Sequence, residues 1–289
     1  MIKTPLSTVI GGAFWTPGAT IIGSGSKTLT QLIKSLFANN EQGFFYDPND
    51  LSTMFQDAAG TIPVTAVGQP VGLIKDKSGR NNHAFQTVSA SRPILQRNAT
   101  TGAYYLAFDG VDDFLQTNNI DFTATDKVSL FAGVRKLSDG LFSTIAELGA
   151  SDSVLGSFGM GCAGLVGDAS RRTYNSNICG SSRVGHGVYV FTAPTSNVLS
   201  TRFDLSKNGA ASTVMRVDCN TPQKVTENSN TGGGVYGNYP LFIGKRNGSI
   251  FPFSGHIYSL IGISRLTTDA ETLALEKAIA KLIGVTLNV

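Results

Sequence analysis

The sequence predicts an all-β fold: an antiparallel two-sheet jelly-roll sandwich, with a short N-terminal arm plus helix and a C-terminal helix. Three observations predict it. Apolar residues between Phe44 and Ile263 occur in short runs, turn residues separate these runs, and no amphipathic helical pattern lies between them. Parallel α/β folds require helices between consecutive strands, so the antiparallel arrangement is favoured.

The composition is that of one main globular domain with few charges. Of the 289 residues, 41% are hydrophobic, 15% are charged and 33 are glycine, which suits many short strands joined by turns. The net charge of +3 is not gathered into a basic block, so no nucleic-acid partner is expected. No signal-peptide core and no apolar run of membrane-spanning length is evident, so we expect synthesis in the cytoplasm and no membrane partner.

Two parts of the chain differ in character. We expect residues 1–43 to be an anchoring arm with a short helix, and residues 44–289 to be the jelly-roll domain. Residues 4–26 carry no charge, and their prolines and glycines prevent a regular helix. Such an apolar segment needs a covering surface, on its own domain or on another subunit, and both alternatives stay open. The candidate partner-binding residues are Phe14, Trp15, Ile21, Ile22, Leu32 and Leu36.

Two helices are predicted at the ends of the domain, over residues 28–38 and 268–283. Each has apolar residues at helical spacing and opens with a capping box, at Thr28 and at Thr268. Gly284 is placed to end the second helix. The apolar face of the first helix is expected to dock on the sandwich or on a neighbour, because its polar face is too weakly basic for a membrane surface.

The strands are predicted from short apolar runs that end at turn residues. The stretch Tyr104 to Leu115 contains one such run, a turn at Asp109-Gly110 and the start of another run, and it is interpreted as the central hairpin. The other turns are Lys77-Ser78-Gly79, Ser138-Asp139-Gly140, Asn208-Gly209 and Asn247-Gly248. The candidate strands are Val71–Ile74, His83–Val88, Tyr104–Phe108, Val128–Val134, Phe142–Leu148, Val188–Thr192, Val198–Leu205, Thr213–Val217, Leu241–Ile243 and His256–Ile263.

No residue pattern indicates catalysis or a cofactor. The five glutamates lack the E-x-D-x-x-E arrangement of sandwich glucanases, and the three histidines belong to no hydrolase or zinc motif. Cys162, Cys179 and Cys219 are widely spaced, so reduced thiols that pack as small apolar residues are favoured over a disulfide or a zinc site. The glutamates are Glu41, Glu147, Glu227, Glu271 and Glu276.

Three groups of residues could bind a ligand, and each has a structural alternative that we favour. The carboxylates of Asp109, Asp112 and Asp113 could hold calcium or could bond their own turn amides. The polar loop Asp76–His83 could contact sugar hydroxyls or could be a structural turn. The aromatic rings could stack on a sugar or pack in the core, and they are those of Tyr236, Tyr239 and Phe251.

Four segments, in order, resemble the concanavalin A-like lectin/glucanase superfamily, in particular the laminin-G-like jelly-roll modules of bacteriophage structural proteins. They are Phe44–Gln86, Leu106–Thr117 with its FDGVDD motif, Leu241–Thr267, and the closing helix Thr268–Val285. The resemblance implies the jelly-roll fold. It does not fix an activity, because this fold carries lectins, hydrolases and inert decoration domains.

The resemblance and the uncharged arm lead to a first hypothesis: a non-enzymatic bacteriophage virion protein. It would be a capsid decoration, tail-fibre or baseplate component that is made in the host cytoplasm, contacts other virion proteins through its arm, and forms a homo-oligomer, with a trimer expected. The alternative is a carbohydrate-binding module that recognises host surface glycan. A polysaccharide hydrolase ranks last.

Overall fold

The computed structural model describes residues 8–10, 13–15, 27–140, 142–162, 172–188, 191–220, 225–227 and 233–287. These residues form nineteen strands and two α-helices, and neither helix is long and apolar enough to cross a membrane. The helices are α1 (Leu29–Leu36) and α2 (Asp269–Ile283). The strands are β1 (Thr8–Ile10), β2 (Ala13–Trp15), β3 (Gly43–Tyr46), β4 (Met54–Phe55), β5 (Leu73–Ile74), β6 (Ala84–Phe85), β7 (Ile94–Arg97), β8 (Tyr104–Asp109), β9 (Leu115–Asp121), β10 (Lys127–Lys136), β11 (Ser143–Leu148), β12 (Phe158–Cys162), β13 (Tyr174–Cys179), β14 (Arg183–Val188), β15 (Thr195–Asp204), β16 (Thr213–Val217), β17 (Val225–Glu227), β18 (Asn238–Ile243) and β19 (Ser254–Ile263).

Two antiparallel sheets form a β-sandwich, as the sequence predicts. The seven-stranded sheet has the order β16-β15-β10-β19-β8-β7, with β3 also paired to β19. The ten-stranded sheet has the order β17-β14-β13-β12-β11-β18-β9-β6-β5-β4. In the described part of the arm, β1 and β2 pair only with each other. The fold class is therefore confirmed.

The main core lies between the two sheets. Alternate residues of each strand point inward, so β10 contributes Val128, Leu130 and Ala132 while β12 contributes Phe158 and Met160. Phe158 makes edge-on ring contacts on two sides, which fixes its position in this layer. Burial of this apolar surface is the main source of stability.

A second core covers the outer face of the seven-stranded sheet. Helices α1 and α2 lie against this face and bury residues such as Leu36 on α1, Ile279 on α2 and Phe131 on β10. Both predicted capping boxes are present, and Gly284 ends α2 in the left-handed conformation. Both helix predictions are confirmed, and α1 docks on its own sandwich.

The predicted central hairpin is wrong. Strand β8 pairs with β7 and β19 in the seven-stranded sheet, whereas β9 pairs with β6 and β18 in the ten-stranded sheet. The turn at Asp109-Gly110 therefore carries the chain from one sheet to the other. The Asp109 carboxylate accepts hydrogen bonds from the amides of Val111 and Asp112, which tightens the turn without pairing its two strands.

One further predicted strand, Val188–Thr192, overlaps an observed strand only at its first residue. Val188 ends β14, residues 189–190 lie outside the described residues, and Phe191 lies outside any strand, where its ring packs against Tyr174. The other nine candidate strands overlap observed ones. Cys162 is buried in the inter-sheet core as a free thiol, as predicted for a small apolar residue.

Candidate functional site

The outer face of the ten-stranded sheet carries polar residues where four neighbouring strands meet. Strands β11, β12, β13 and β14 place Glu147, Gly159, Asn177 and Gly185 side by side in register. The inward positions next to them hold core residues, so this row points away from the inter-sheet core. The row therefore differs from an ordinary apolar sheet face.

Four charged side chains of this region form one continuous chain of ion pairs. Arg246 Nε lies 2.6 Å from Glu147 Oε2, and Arg246 Nη2 lies 3.3 Å from Asp152 Oδ2. The same Asp152 oxygen lies 2.7 Å from Arg183 Nε. We call these four residues, together with the outward-facing Asn175 and Asn177 of β13, the ion-pair face.

A tight turn brings Arg246 to this face. Asn247 and Gly248 both have positive φ, and the amide of Arg246 donates to the Ile250 carbonyl across the turn. This confirms the turn predicted at Asn247-Gly248. Phe251 follows at a positive φ of 59°, and its carbonyl accepts a hydrogen bond from the Thr144 amide on β11. The loop between β18 and β19 is thus fastened beside β11.

Two aromatic rings border the ion-pair face. Phe142 and Phe251 meet edge-on with their centroids 4.9 Å apart. The Arg246 guanidinium lies over both rings, 5.3 Å and 5.0 Å from their centroids. Cation–π attraction therefore adds to the ion pairs in orienting Arg246. Because both rings are half-buried, they leave apolar surface at the border of the polar cluster.

The electrostatics of the ion-pair face are set by burial. Glu147 is 1% exposed, and burial raises its pKa to about 7, although Arg246 opposes this shift. Arg246 is also buried, whereas 39% of the Arg183 side chain is exposed. The cluster therefore runs from a buried carboxylate at β11 to an accessible guanidinium at β14.

Glycines let the polar side chains lie close to the sheet. A Cβ atom on Gly159 would lie 3.1 Å from Asn177 Oδ1 and 3.2 Å from Glu147 Cγ. A Cβ atom on Gly161 would lie 2.8 Å from Asn175 Oδ1 and 3.3 Å from the Phe142 ring. Glycine inside a strand marks a place where other groups approach the backbone closely. The side-chain amides of Asn175 and Asn177 therefore lie close to the backbone of β12.

The polar loop Asp76–His83 is a structural turn. The buried Asp76 carboxylate accepts hydrogen bonds from the amides of Phe45, Ser78 and Asn82. The side chain of Asn82 is bonded to the Gly43 carbonyl. Because these polar groups bond within the chain, the structural alternative favoured from the sequence is confirmed here.

The three carboxylates near Asp109 lie together, with ligand atoms within 4.8 Å of one another. Asp109 caps its own turn, as favoured from the sequence, whereas Asp112 accepts from the Ser91 hydroxyl. Asp113 accepts from the Asp109 amide, and burial raises its pKa to about 6. The hydrogen bonds of these carboxylates account for the cluster as part of the turn.

The aromatic candidates separate into two environments. Tyr236 is fully buried, and its ring packs edge-on against Phe158 in the core. Tyr239 packs against the same core and donates its hydroxyl to the Leu155 carbonyl. Phe251 instead borders the ion-pair face. Packing is therefore the role of two of the three, and Phe251 stays a candidate for contact with a ligand.

The predicted partner-binding residues lie in different parts of the chain. Leu36 is buried and Leu32 partly buried in the helix-covered core, so these two are covered by the chain itself. Phe14 and Trp15 belong to β2, whereas Ile21 and Ile22 lie outside the described residues. Their binding role stays a prediction.

The sequence alone does not predict the ion-pair face. Glu147 is one of five glutamates that lack a catalytic arrangement, and Arg246 belongs to no recognised motif. One signal was available, because a single glutamate interrupts the apolar strand TIAEL at an outward position. Asp152 follows only five positions later, but Arg183 and Arg246 lie 36 and 99 positions along the chain from Glu147, and only the sheet order brings them to this face.

Comparisons with known proteins identify the fold. No family model matches the sequence, and no curated protein matches it. Among solved structures, one similar chain is domain 4 of an extracellular arabinanase from Geobacillus stearothermophilus in complex with arabinotriose, with a TM-score of 0.51 and 11% identity, covering 82% of this chain and 100% of that one. This chain has a lectin-like β-sandwich fold.

Two longer proteins share the same fold. A structure of botulinum neurotoxin type C, which concerns its interaction with two ganglioside molecules, gives a TM-score of 0.51 at 9% identity and covers 83% of this chain. An arabinofuranosidase complexed with arabinofuranosyl-xylobiose gives 0.51 at 12% identity and covers 74%. This chain spans about half of each, 52% and 51%. At these identities the likeness is one of fold alone.

Proposed function

We propose that this protein is a carbohydrate-binding module and that its ion-pair face holds the glycan. The observation that carries the proposal is the polar cluster on the outer side of β11 to β14, bordered by the rings of Phe142 and Phe251. Planar amides and charged groups beside apolar rings suit a sugar, which has hydroxyls at its edge and C–H groups on its faces. The fold-level likeness to a sugar-complexed arabinanase domain supports the same function.

The proposed module is non-catalytic. Hydrolysis of a glycoside needs two carboxyl groups that both reach the scissile bond. Glu147 is 1% exposed and is held by Arg246, so a substrate has no access to it. Asp152 is the other carboxylate of the ion-pair face, and it forms ion pairs with two guanidinium groups. We therefore assign these carboxylates to positioning the arginines.

A glycan array followed by calorimetry tests the proposal. Asn175→Ala and Phe251→Ala change two half-buried residues at the ion-pair face and its border. Each is expected to weaken binding of the best array ligand about tenfold, equivalent to about 1.4 kcal/mol. Asn119→Ala is the matched control, because Asn119 is an exposed asparagine on β9 of the same sheet.

The control should bind as the unmodified protein does. The proposal is contradicted if no glycan binds at roughly millimolar concentration, or if all three variants bind equally well. A thermal unfolding curve for each variant separates loss of binding from loss of the fold.

As a second candidate, we infer that the chain is a bacteriophage virion component held by residues 1–26. The uncharged composition of residues 4–26 and the resemblance to phage jelly-roll modules support this role. Deletion of residues 1–26 is the appropriate test, because Ile33 and Leu36 on α1 are buried in the domain and must be kept. The truncated protein should fold, yet it should be missing from particles.

Normal occupancy of the truncated protein in particles would remove the anchoring role. A mass measurement on the full chain tests the expected trimer, and a stable monomer would contradict it. Glycan binding by the truncated protein should be unchanged, since the ion-pair face lies outside the deleted residues. The two candidate functions can therefore be separated in one set of proteins.

A further inference from the structure

The charges of the ion-pair face balance within the protein. Two guanidinium groups and two carboxylates alternate in the order Glu147, Arg246, Asp152, Arg183. Each guanidinium has a carboxylate oxygen within 3.3 Å. Burial raises the pKa of Glu147 to about 7, so the four groups carry no net charge above this pH, where Glu147 is ionised.

We propose that the saccharide held by the ion-pair face is uncharged, an inference that rests on the proposed function and narrows its ligand to one chemical class. An acidic sugar would bring a third carboxylate beside Asp152. Like charges placed together in an interface oppose binding, which excludes the wrong ligand. A sugar hydroxyl has no such conflict, because it can donate to Asp152 and accept from Arg183 at the same time.

Arg183 is the residue of the ion-pair face that would favour an acidic sugar over a neutral one. With 39% of its side chain exposed, it is the most accessible cation of the ion-pair face and could attract an anion. Its Nε is 2.7 Å from Asp152, whose side chain is itself 13% exposed. An approaching anion therefore meets a paired guanidinium with its carboxylate partly exposed beside it, and Coulomb attraction to the pair is small.

A glycan array that carries matched pairs tests the class of ligand. Each neutral oligosaccharide is printed beside its uronate counterpart, in which the C6 alcohol is oxidised to a carboxylate. We expect the neutral member of the best pair to bind at least about tenfold more tightly, or about 1.4 kcal/mol. Tighter binding of the uronate would overturn this inference but leave the carbohydrate-binding function standing. Binding of neither member of any pair would overturn both.

Asp152→Asn tests the reason for the preference. This substitution removes one carboxylate at constant size and leaves Arg183 with an uncompensated charge. The preference for the neutral sugar should fall about tenfold or reverse. Asp121→Asn is the control, because Asp121 is an exposed aspartate on β9 of the same sheet, and it should leave the preference unchanged.

An unchanged preference in folded Asp152→Asn would contradict the inference. If that variant does not fold, Arg183→Gln provides the second test, since 39% of the Arg183 side chain is exposed. Glutamine keeps an amide donor and removes the cation, so the preference for the neutral sugar should persist or increase. If Arg183→Gln loses the preference for the neutral sugar, the preference comes from the arginine itself and not from the balance of charges. That result would overturn the proposal.

Discussion

The two outer faces of the sandwich are covered in different ways. On the seven-stranded sheet, helices α1 and α2 bury an apolar layer that includes Phe45, Phe131 and Ile261. On the ten-stranded sheet, strands β11 to β14 instead present glycines, asparagines and the ion pair of Glu147 with Arg246. Apolar side chains of the helices cover the seven-stranded sheet, whereas the outer side of β11 to β14 carries hydrogen-bonding side chains.

The two faces contribute differently to the stability of the fold. Apolar burial under the helices contributes directly to folding free energy. A buried ion pair contributes little net stability, because the cost of removing both charges from water offsets their attraction. In the proposed function, these ion pairs orient the polar groups that contact the glycan, and their contribution to stability is secondary.

The largest effect is expected on the helix-covered face. Phe45 is fully buried there, and Phe45→Ala should lower the free energy of unfolding by about 3–5 kcal/mol, because it leaves a cavity. Urea denaturation measures the loss. Phe251→Ala, at the border of the ion-pair face, should cost less stability because its ring is half-buried. Equal losses in the two variants would remove the contrast between the faces.

The next effect concerns the buried ion pair. Arg246→Met leaves Glu147 without its guanidinium, and the free energy of unfolding should fall by about 3–5 kcal/mol where the carboxylate is ionised. The loss should depend on pH. The pKa of folded Glu147 is raised from 4.5 to about 7, so the folded protein holds a proton that the unfolded chain releases between these values. Stability therefore falls as the pH rises through this window.

Denaturation at about pH 6 and at about pH 8 checks this prediction, and the loss should be larger at the higher pH. The double variant Glu147→Leu with Arg246→Met is the control, because it removes both charges together. It should recover much of the stability of the single variant. A loss that is the same at both pH values would show that the guanidinium acts through packing on Phe142 and Phe251.

The sequence predicts the helix-covered face better than the ion-pair face, for a physical reason. Helix signals are local: the capping boxes at Thr28 and Thr268 and the stop at Gly284 lie within a few residues of the helices they bound. Apolar periodicity then identifies the buried side of each helix. The existence and approximate bounds of α1 and α2 could therefore be read from the chain alone.

The ion-pair face depends on pairing between distant strands. Glu147 and Arg246 are separated by 99 positions, and only the order β13-β12-β11-β18 brings their surroundings together. The same limit explains the wrong hairpin at Asp109-Gly110, where the turn residues are present but the two strands join different sheets. Strands β12, β13 and β14 are rich in glycine, asparagine and serine, so strand propensity did not indicate them.

A smaller effect, of opposite pH dependence, is expected from Glu271 at the start of α2. Hydrogen bonds from Arg265, together with the amide of Thr268, lower its pKa from 4.5 to about 2. The unfolded chain then binds a proton that the folded protein does not, so Glu271 stabilises the fold above about pH 4.5 and this contribution is lost as the pH falls toward 2.

Glu271→Gln should cost about 1 kcal/mol at neutral pH, because solvent screens this partly exposed pair, and the difference from the unmodified protein should vanish in acid. Urea denaturation across the acid range measures it. Glu41→Gln is a matched control, since Glu41 also pairs with Arg265 but does not cap a helix. If Glu271→Gln became more destabilising as the pH fell, the carboxylate would not be the stabilising form, and the helix-covered face would share the pH dependence expected of Glu147.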